Sequence, residues 1–245
     1  VTGRCHVTAR VTVILALLAL PAAAEAPIGP LGPAGAPASA FPAPARPVAP
    51  IVSDHWSSED ARDRAGEAEQ VLRILAVKPG MTVADVGAGD GYYTVRLARR
   101  LGPSGRVIAE DVMADYLDKL QRRVARETLA NVTFDLGEPH DPRLPPQSVD
   151  LVLMVHMYHE VAQPYGLLYN LLPALRPGAK VAVIDLDQPT VQHGTPRDLL
   201  TCELQALGFR QLSWDALGHQ REYLAVFAPA AAAPTPERIK PCAGG

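Results

Sequence analysis

The sequence predicts an α/β protein, with an open and mostly parallel seven-stranded sheet, a C-terminal antiparallel hairpin, and helices on both faces. Three observations predict it. Strand-like and helix-like segments alternate from about residue 53 to 228, the pattern of parallel strands joined by crossover helices. A glycine-rich turn, Gly87-Ala-Gly-Asp-Gly91, joins the first strand to the next helix, where such sheets bring backbone close to a ligand. The last two strand-like runs are linked by a short connection, so they pair antiparallel.

Each element follows in order. A helix from Ser58 to about Leu75 carries Ala61, Ala65, Ala68, Val71, Leu72 and Leu75 on one face, with Ser57 or Ser58 as its cap. Lys78-Pro-Gly80 turns the chain into the first strand, Met81 to Val86. The helix after the glycine turn shows Val95, Leu97, Ala98 and Leu101, and Gly102-Pro-Ser-Gly105 stops it. Arg106 to Asp111 is the second strand, Ala114 to Thr128 a helix, and Val132 to Leu136 the third strand. The fourth strand is Val149 to Val155. A helix from Tyr165 to Leu175, ended by Arg176-Pro-Gly178, leads to the fifth, Lys180 to Asp185. Arg197 to Leu207 is helical; Phe209 to Trp214 and Glu222 to Phe227 form the hairpin around a turn containing Gly218-His-Gln220.

The flanks differ in kind. Arg4, His6 and Arg10 precede the apolar run Val11 to Leu20 and the small residues of Pro21-Ala-Ala-Ala-Glu-Ala26. That order predicts a secretory signal peptide over 1–26 and export to the periplasm or medium, with no stable membrane span after cleavage. Cytosolic residence is the alternative if the start is mis-assigned. Residues 27–50 hold eight of the 24 prolines, so 27–52 is expected to be a Pro/Ala-rich linker. The Ala/Pro-rich segment 229–245 is expected to be a disordered tail. Cys202 and Cys242 could pair in an oxidising compartment, but no framework spacing is visible and unpaired thiols are the expectation. The net charge of −3 and an aromatic content of 5% argue against a nucleic-acid partner. No C-x-x-C or H-E-x-x-H pattern occurs, and no metal is expected.

Ligands in such sheets sit beyond the C-terminal strand ends. The first strand ends on Asp85, and three glycines follow at alternate positions: Gly87, Gly89 and Gly91. A dinucleotide fingerprint is G-x-G-x-x-G, which holds a pyrophosphate at the helix N-terminus. Here the third glycine comes one residue early and position 92 is Tyr92, which argues against a nicotinamide oxidoreductase. An acid at the strand end repels phosphate and suits an ammonium. The D-x-G-x-G-x-G pattern resembles motif I of the class I S-adenosylmethionine (SAM) methyltransferases. The ordered elements over about 53–228 and the terminal hairpin resemble the Rossmann-like, seven-stranded fold of that family. Gly-Asp-Gly-Tyr-Tyr-Thr, Asp-Pro-Arg-Leu-Pro and Tyr158-His159 look most like a bacterial group of predicted, often exported, methyltransferases.

The resemblance implies SAM as cofactor and a small-molecule methyl acceptor. It places Asp85 at the cofactor's amino group and Gly87, Gly89 and Gly91 around its methionine part, with Tyr92 or Tyr93 lining the pocket. Asp111, with Glu110 as a second choice, accepts the ribose hydroxyls, and Val112 or Met113 packs on the adenine. Glu138 is the positional match for an acid at the adenine amino group, but Pro139 removes an amide donor the family often uses, and Asp141 is a substitute. After the fourth strand, His156-Met-Tyr-His-Glu160 falls where the acceptor binds. An unperturbed histidine titrates near about 6.5, so His159 is the first candidate for a proton acceptor and Tyr158 the second, with helix capping the competing role for His159 and Glu160. His156 is expected at the cofactor, and Asp185 and Asp187 are candidates to line the acceptor pocket. A methyltransferase-like module that binds SAM or a metabolite without turnover is the alternative.

Overall fold

A computed structural model describes residues 2–3, 28–51, 58–218 and 221–243. Nearly all of the expected signal segment lies outside the described residues, as do Ser57, His219 and Gln220. Seven strands, β1 (Thr82–Val86), β2 (Arg106–Asp111), β3 (Val132–Leu136), β4 (Val149–Val155), β5 (Leu175–Leu186), β6 (Phe209–Ala216) and β7 (Glu222–Pro229), form one sheet in the order 3-2-1-4-5-7-6. Strands β1 to β5 pair in parallel, and β7 runs antiparallel between β5 and β6. The order reverses at β1 and β4, which opens the crevice where open α/β sheets bind ligands.

The two faces follow from the period of two along each strand. Val83, Val107, Leu151 and Leu153 pack on one side with α2 (Glu67–Ile74) and α3 (Tyr92–Leu101). Ala84, Ile108, Val152 and Met154 pack on the other with α5 (Pro164–Leu171) and α6 (Arg197–Ala206). Helix α4 (Ala114–Arg126) places Leu120 and Val124 against Ala109. Leu97 and Leu101 of α3 are fully buried, each contributing about 1.5–3 kcal/mol. Helices therefore cover both faces, as expected.

Two boundaries stand out as different. The first expected helix is two, α1 (Glu59–Arg64) and α2, because Gly66 turns left-handed at φ 68°. Ser58 caps α1 by accepting from the Ala61 amide. Arg176-Pro-Gly178 does not precede β5 but lies inside it, where the register slips opposite Val149–Leu151.

The flanks are ordered, not a linker and a disordered tail. Residues 28–51 form a strap over the domain. The Leu31, Gly35 and Ala36 amides donate to the side chains of Asp135 (2.8 Å), Asp141 (2.7 Å) and Asn170 (2.9 Å). Pro33, between these anchors, has no amide to satisfy. Arg46 Nε donates to Glu203 at 3.0 Å with both side chains fully buried. Phe41 and Ala49 are buried as well. The C-terminal segment lies back on the same side: Ala243 bridges Ala45, Ile239 is buried, and Cys242 is disulfide-bonded to Cys202 of α6. The expectation of unpaired thiols is thereby corrected. No helix among the described residues is long and apolar enough to cross a membrane.

Candidate functional site

A cleft of about 360 Å³ opens at the C-terminal ends of β1, β2 and β4, within the range of small-ligand sites. Asp85 ends β1 on its floor. It is buried and accepts from Thr94 Oγ1 at 2.6 Å. Burial pushes its carboxyl up to about 6; the Thr94 bond opposes this and the charge of Asp111 adds to it. The loop that follows is left-handed at Gly87 (φ 70°) and Gly89 (φ 52°). A Cβ on Gly87 would lie 2.9 Å from Met157 Cγ, so glycine lets the two walls approach. Gly91 does not line the cleft. It starts α3 at φ 82°, and a Cβ there would overlap Leu120, so its place is in helix packing and not at a ligand.

At the end of β2 the strand period sends Glu110 and Asp111 to opposite sides, and both line the cleft. Asp111 accepts from the Gly89 and Met113 amides, both at 2.9 Å. Glu110 accepts from the Gly87 amide at 3.4 Å, while its buried Oε1 has no partner among the described residues. Burial, with Asp111 and Asp135 nearby, raises the Glu110 carboxyl well above its ordinary range. Val112 and Tyr116 line the same wall. Met113 does not and is exposed. After β3, Glu138 and Pro139 reach the cleft, with Glu138 bonded to Arg143 at 3.1 Å. Asp141 does not: its oxygens accept from the Gly35 and Arg143 amides. The strap uses the acid expected as a substitute for Glu138 at the adenine.

Tyr92 and Tyr93 both line the cleft, their hydroxyls donating to Asp63 and Glu67 at 3.0 Å each. Arg62 of α1 lies over the Tyr92 ring at 3.8 Å and makes a two-pronged bond to Glu67 (2.6 and 2.9 Å). It also lines the cleft, and sequence reasoning missed it. It sits on a helix that precedes the first strand and that the sequence marks only by its apolar face.

Beyond β4, His156 is left-handed (φ 51°) and lines the cleft, its Nε2 3.1 Å from Glu222. A short 3-10 turn, Tyr158–Glu160, follows. Successive residues on such a turn point about a third of a revolution apart, and this separates the two catalytic candidates. His159 lines the cleft, and its Nδ1 lies 3.1 Å from both oxygens of Asp185. Asp185 is held in turn by Thr195 Oγ1 (2.7 Å) and the Leu186 amide (2.9 Å). Tyr158 instead points into the core, fully buried under Arg46, whose guanidinium carbon is 5.5 Å from the ring centre. It does not reach the cleft and is withdrawn as a catalytic candidate. Among the described residues Asp185 meets the cleft through His159, and Asp187 pairs with Arg197 at 3.2 Å; neither lines the cleft itself.

Carboxylates dominate the walls: Glu59, Asp85, Asp90, Glu110, Asp111, Glu138 and Glu160 stand against Arg62. Such a field suits a cationic ligand and repels a pyrophosphate.

Comparison with known proteins agrees with this geometry. The methyltransferase-domain family matches residues 83–178. An arsenite methyltransferase of Halobacterium salinarum is 32% identical over 115 residues, covering 47% of this chain and 29% of its own length. A demethylmenaquinone methyltransferase of Geobacillus is 27% identical over 144 residues, 59% of this chain and 55% of that one. The chain thus spans about a third to a half of these relatives. The crystal structure of a SAM-dependent methyltransferase from Aquifex aeolicus superposes with a TM-score of 0.62 at 28% identity, covering 68% of this chain and 91% of the other. Matched family, strand order and strand-end acids converge: residues 83–178 match the methyltransferase-domain family, and the fold is similar to that of SAM-dependent methyltransferases.

Proposed function

We propose that the chain transfers a methyl group from SAM to a small acceptor held against His159. The observation that carries this reading is the His159–Asp185 pair on the wall of the cleft that also contains Asp85 and the glycine loop. The residues fit the cofactor. Glu110 Oε1 is a buried acceptor atom with no partner among the described residues, and the glycine loop approaches Met157 too closely for a side chain. Asp85 offers its charge to the amino group, and Arg62 offers its own to the carboxylate. Asp111 and Glu110 offer oxygens to ribose hydroxyls. Val112 gives the adenine an apolar wall, Glu138 accepts from its amino group, and Tyr92 and His156 close the sides.

When bound, SAM supplies an electrophilic methyl on a sulfonium. The chain's own part is to hold both reactants in line and to take a proton. Asp185 fixes the His159 ring with Nδ1 protonated, which leaves a lone pair on Nε2 and stabilises the imidazolium once that lone pair accepts a proton. A thiophilic arsenic acceptor is not supported, because soft centres select thiolate ligands. Among the described residues no cysteine lines the cleft, and Cys202 and Cys242 are bonded to each other. That disulfide supports a place in an oxidising compartment, in keeping with the leader-like order of residues in 1–26.

The test is calorimetry of SAM and S-adenosylhomocysteine on the full chain, with NAD as control. It is joined to S-adenosylhomocysteine release over a panel of phenols, thiols and amines. His159→Ala is expected to keep cofactor affinity within about twofold and to lose about 10²–10⁴ in turnover. Equal loss of both makes His159 structural. Binding of SAM with no turnover on any acceptor favours the non-catalytic module.

A further inference from the structure

We propose that His159, Glu160 and His193 hold a divalent transition-metal ion, Zn²⁺ foremost, at the acceptor end of the cleft, and that the acceptor is an oxygen compound such as a catechol or phenol. One ligand atom from each of the three residues lies within 4.8 Å of the others, and all three residues line the cleft. Two histidines and a carboxylate form a common three-ligand set for a catalytic zinc, which keeps a further position open.

Independent features of the surroundings point the same way. His159 Nδ1 is bonded to Asp185, and Asp185 is itself fixed by Thr195 and the Leu186 amide. A carboxylate behind a histidine is what orients a metal-bound imidazole and raises its basicity. The other ring nitrogen, Nε2, lies 3.9 Å from Glu160 Oε1. His193 presents its ring edge-on to that of His159, with centroids 5.4 Å apart. Its Nδ1 is shielded from solvent and has no hydrogen-bond partner among the described residues. His193 is also held left-handed at φ 57°, a conformation that costs a non-glycine residue energy and recurs at ligand-binding positions. In the other such grouping, Glu67, His156 and Glu222, Glu67 accepts from Arg62 and Tyr93, and Glu222 lies 3.1 Å from His156.

The acceptor class follows from the chemistry. An ion open toward the cleft lowers the pKa of a bound hydroxyl. The hydroxyl gives its proton to water, its oxygen forms the new bond to the methyl carbon, and the carbon–sulfur bond breaks with its electron pair staying on sulfur. The Nε2 lone pair holds either a proton or the ion, so this use of His159 replaces its action as a base when metal is present. The acceptor class rests on the reading of the cleft as a SAM site; the ion site does not.

The experiment uses the full chain with its disulfide intact, stripped by a chelator. It is titrated with Zn²⁺ by calorimetry and with Co²⁺ by visible absorbance. One ion per chain is expected. His193→Ala, on a half-exposed loop, and Glu160→Gln are each expected to weaken it by more than about a hundredfold, and Asp185→Asn by about 10–100-fold. SAM affinity of His193→Ala should be unchanged. Adding catechol should perturb the Co²⁺ spectrum. Saturable binding absent from folded protein, or equal in wild type and His193→Ala, overturns the ion site, and an unmoved Co²⁺ spectrum overturns the oxygen acceptor. SAM calorimetry run in parallel separates the two readings. Zn²⁺ bound without SAM removes the cofactor reading and leaves the ion site; SAM bound without Zn²⁺ does the reverse.

Discussion

Asp85 is expected to make SAM affinity depend on pH in a way that one substitution isolates. Its carboxyl is buried at the end of β1 with one side-chain donor, Thr94, and titrates at about 6. Raising the carboxyl from an ordinary value near 3.9 to about 6 disfavours the buried carboxylate by about 3 kcal/mol. An ammonium placed there relieves that cost, but only against the ionised form. At pH 5 about nine-tenths of the free protein carries a proton on Asp85, and the ligand has to displace it. Affinity is therefore expected to be flat above about pH 7 and about tenfold weaker at pH 5, about 1.4 kcal/mol. Asp85→Asn cannot oppose an ammonium, so it should lose about 1.5–3 kcal/mol at pH 7.5 and should lose the slope too. The gap between wild type and variant narrows as pH falls. The assay is calorimetry from pH 5 to 8 in buffers of different ionisation enthalpy, which also counts protons released. A flat wild-type profile, or a slope that persists in Asp85→Asn, refutes the assignment of the ammonium to this carboxyl.

The same carboxyl sets the stability of the ligand-free protein. Asp85 at about 6, Asp135 at about 7 and the raised Glu110 all bind protons more tightly when folded. Stability should therefore fall as pH rises from about 4 through 7. The melting temperature is expected to be higher at pH 5 than at pH 7.5 in calorimetric scans; the opposite order rejects the buried-acid account. Gly91→Ala forces a side chain into φ 82° and against Leu120, so denaturation should show a loss of about 1–3 kcal/mol with SAM affinity of the folded fraction unchanged. Cys202→Ser opens a loop of 40 residues. It should cost about 4 kcal/mol in the chain-entropy account, read as a drop in denaturation midpoint absent when both proteins are assayed in reductant.

What the sequence made legible is what local period and register determine. β2, β3 and β4 begin and end where their alternation and flanking turns place them, and each strand end then puts a known residue at the cleft: Asp85, Asp111, Glu138, His159. What it hid are contacts whose partners lie far along the chain. Asp135 falls within the third strand and Asp141 reads as a substitute acid for the adenine, yet both are buried acceptors for amides more than 100 residues earlier. No periodicity marks such a pairing, and a buried carboxyl needs it. The Pro/Ala composition of 28–51 suggested disorder because it lacks a hydrophobic face. The strap is instead held through backbone donors and one guanidinium, terms that composition does not count. The consequence reaches the site. Arg46 donates to the carbonyl of Tyr158 (3.2 Å), and the Ala49 amide donates to that of His159 (3.1 Å). The turn that presents His159 to the cleft is thus pinned from behind by the strap, while Asp185 fixes the ring from β5. A side chain held this way from two independent elements keeps the geometry that proton transfer or metal ligation requires. The segment least like a folded element in composition is therefore part of what fixes the acceptor wall.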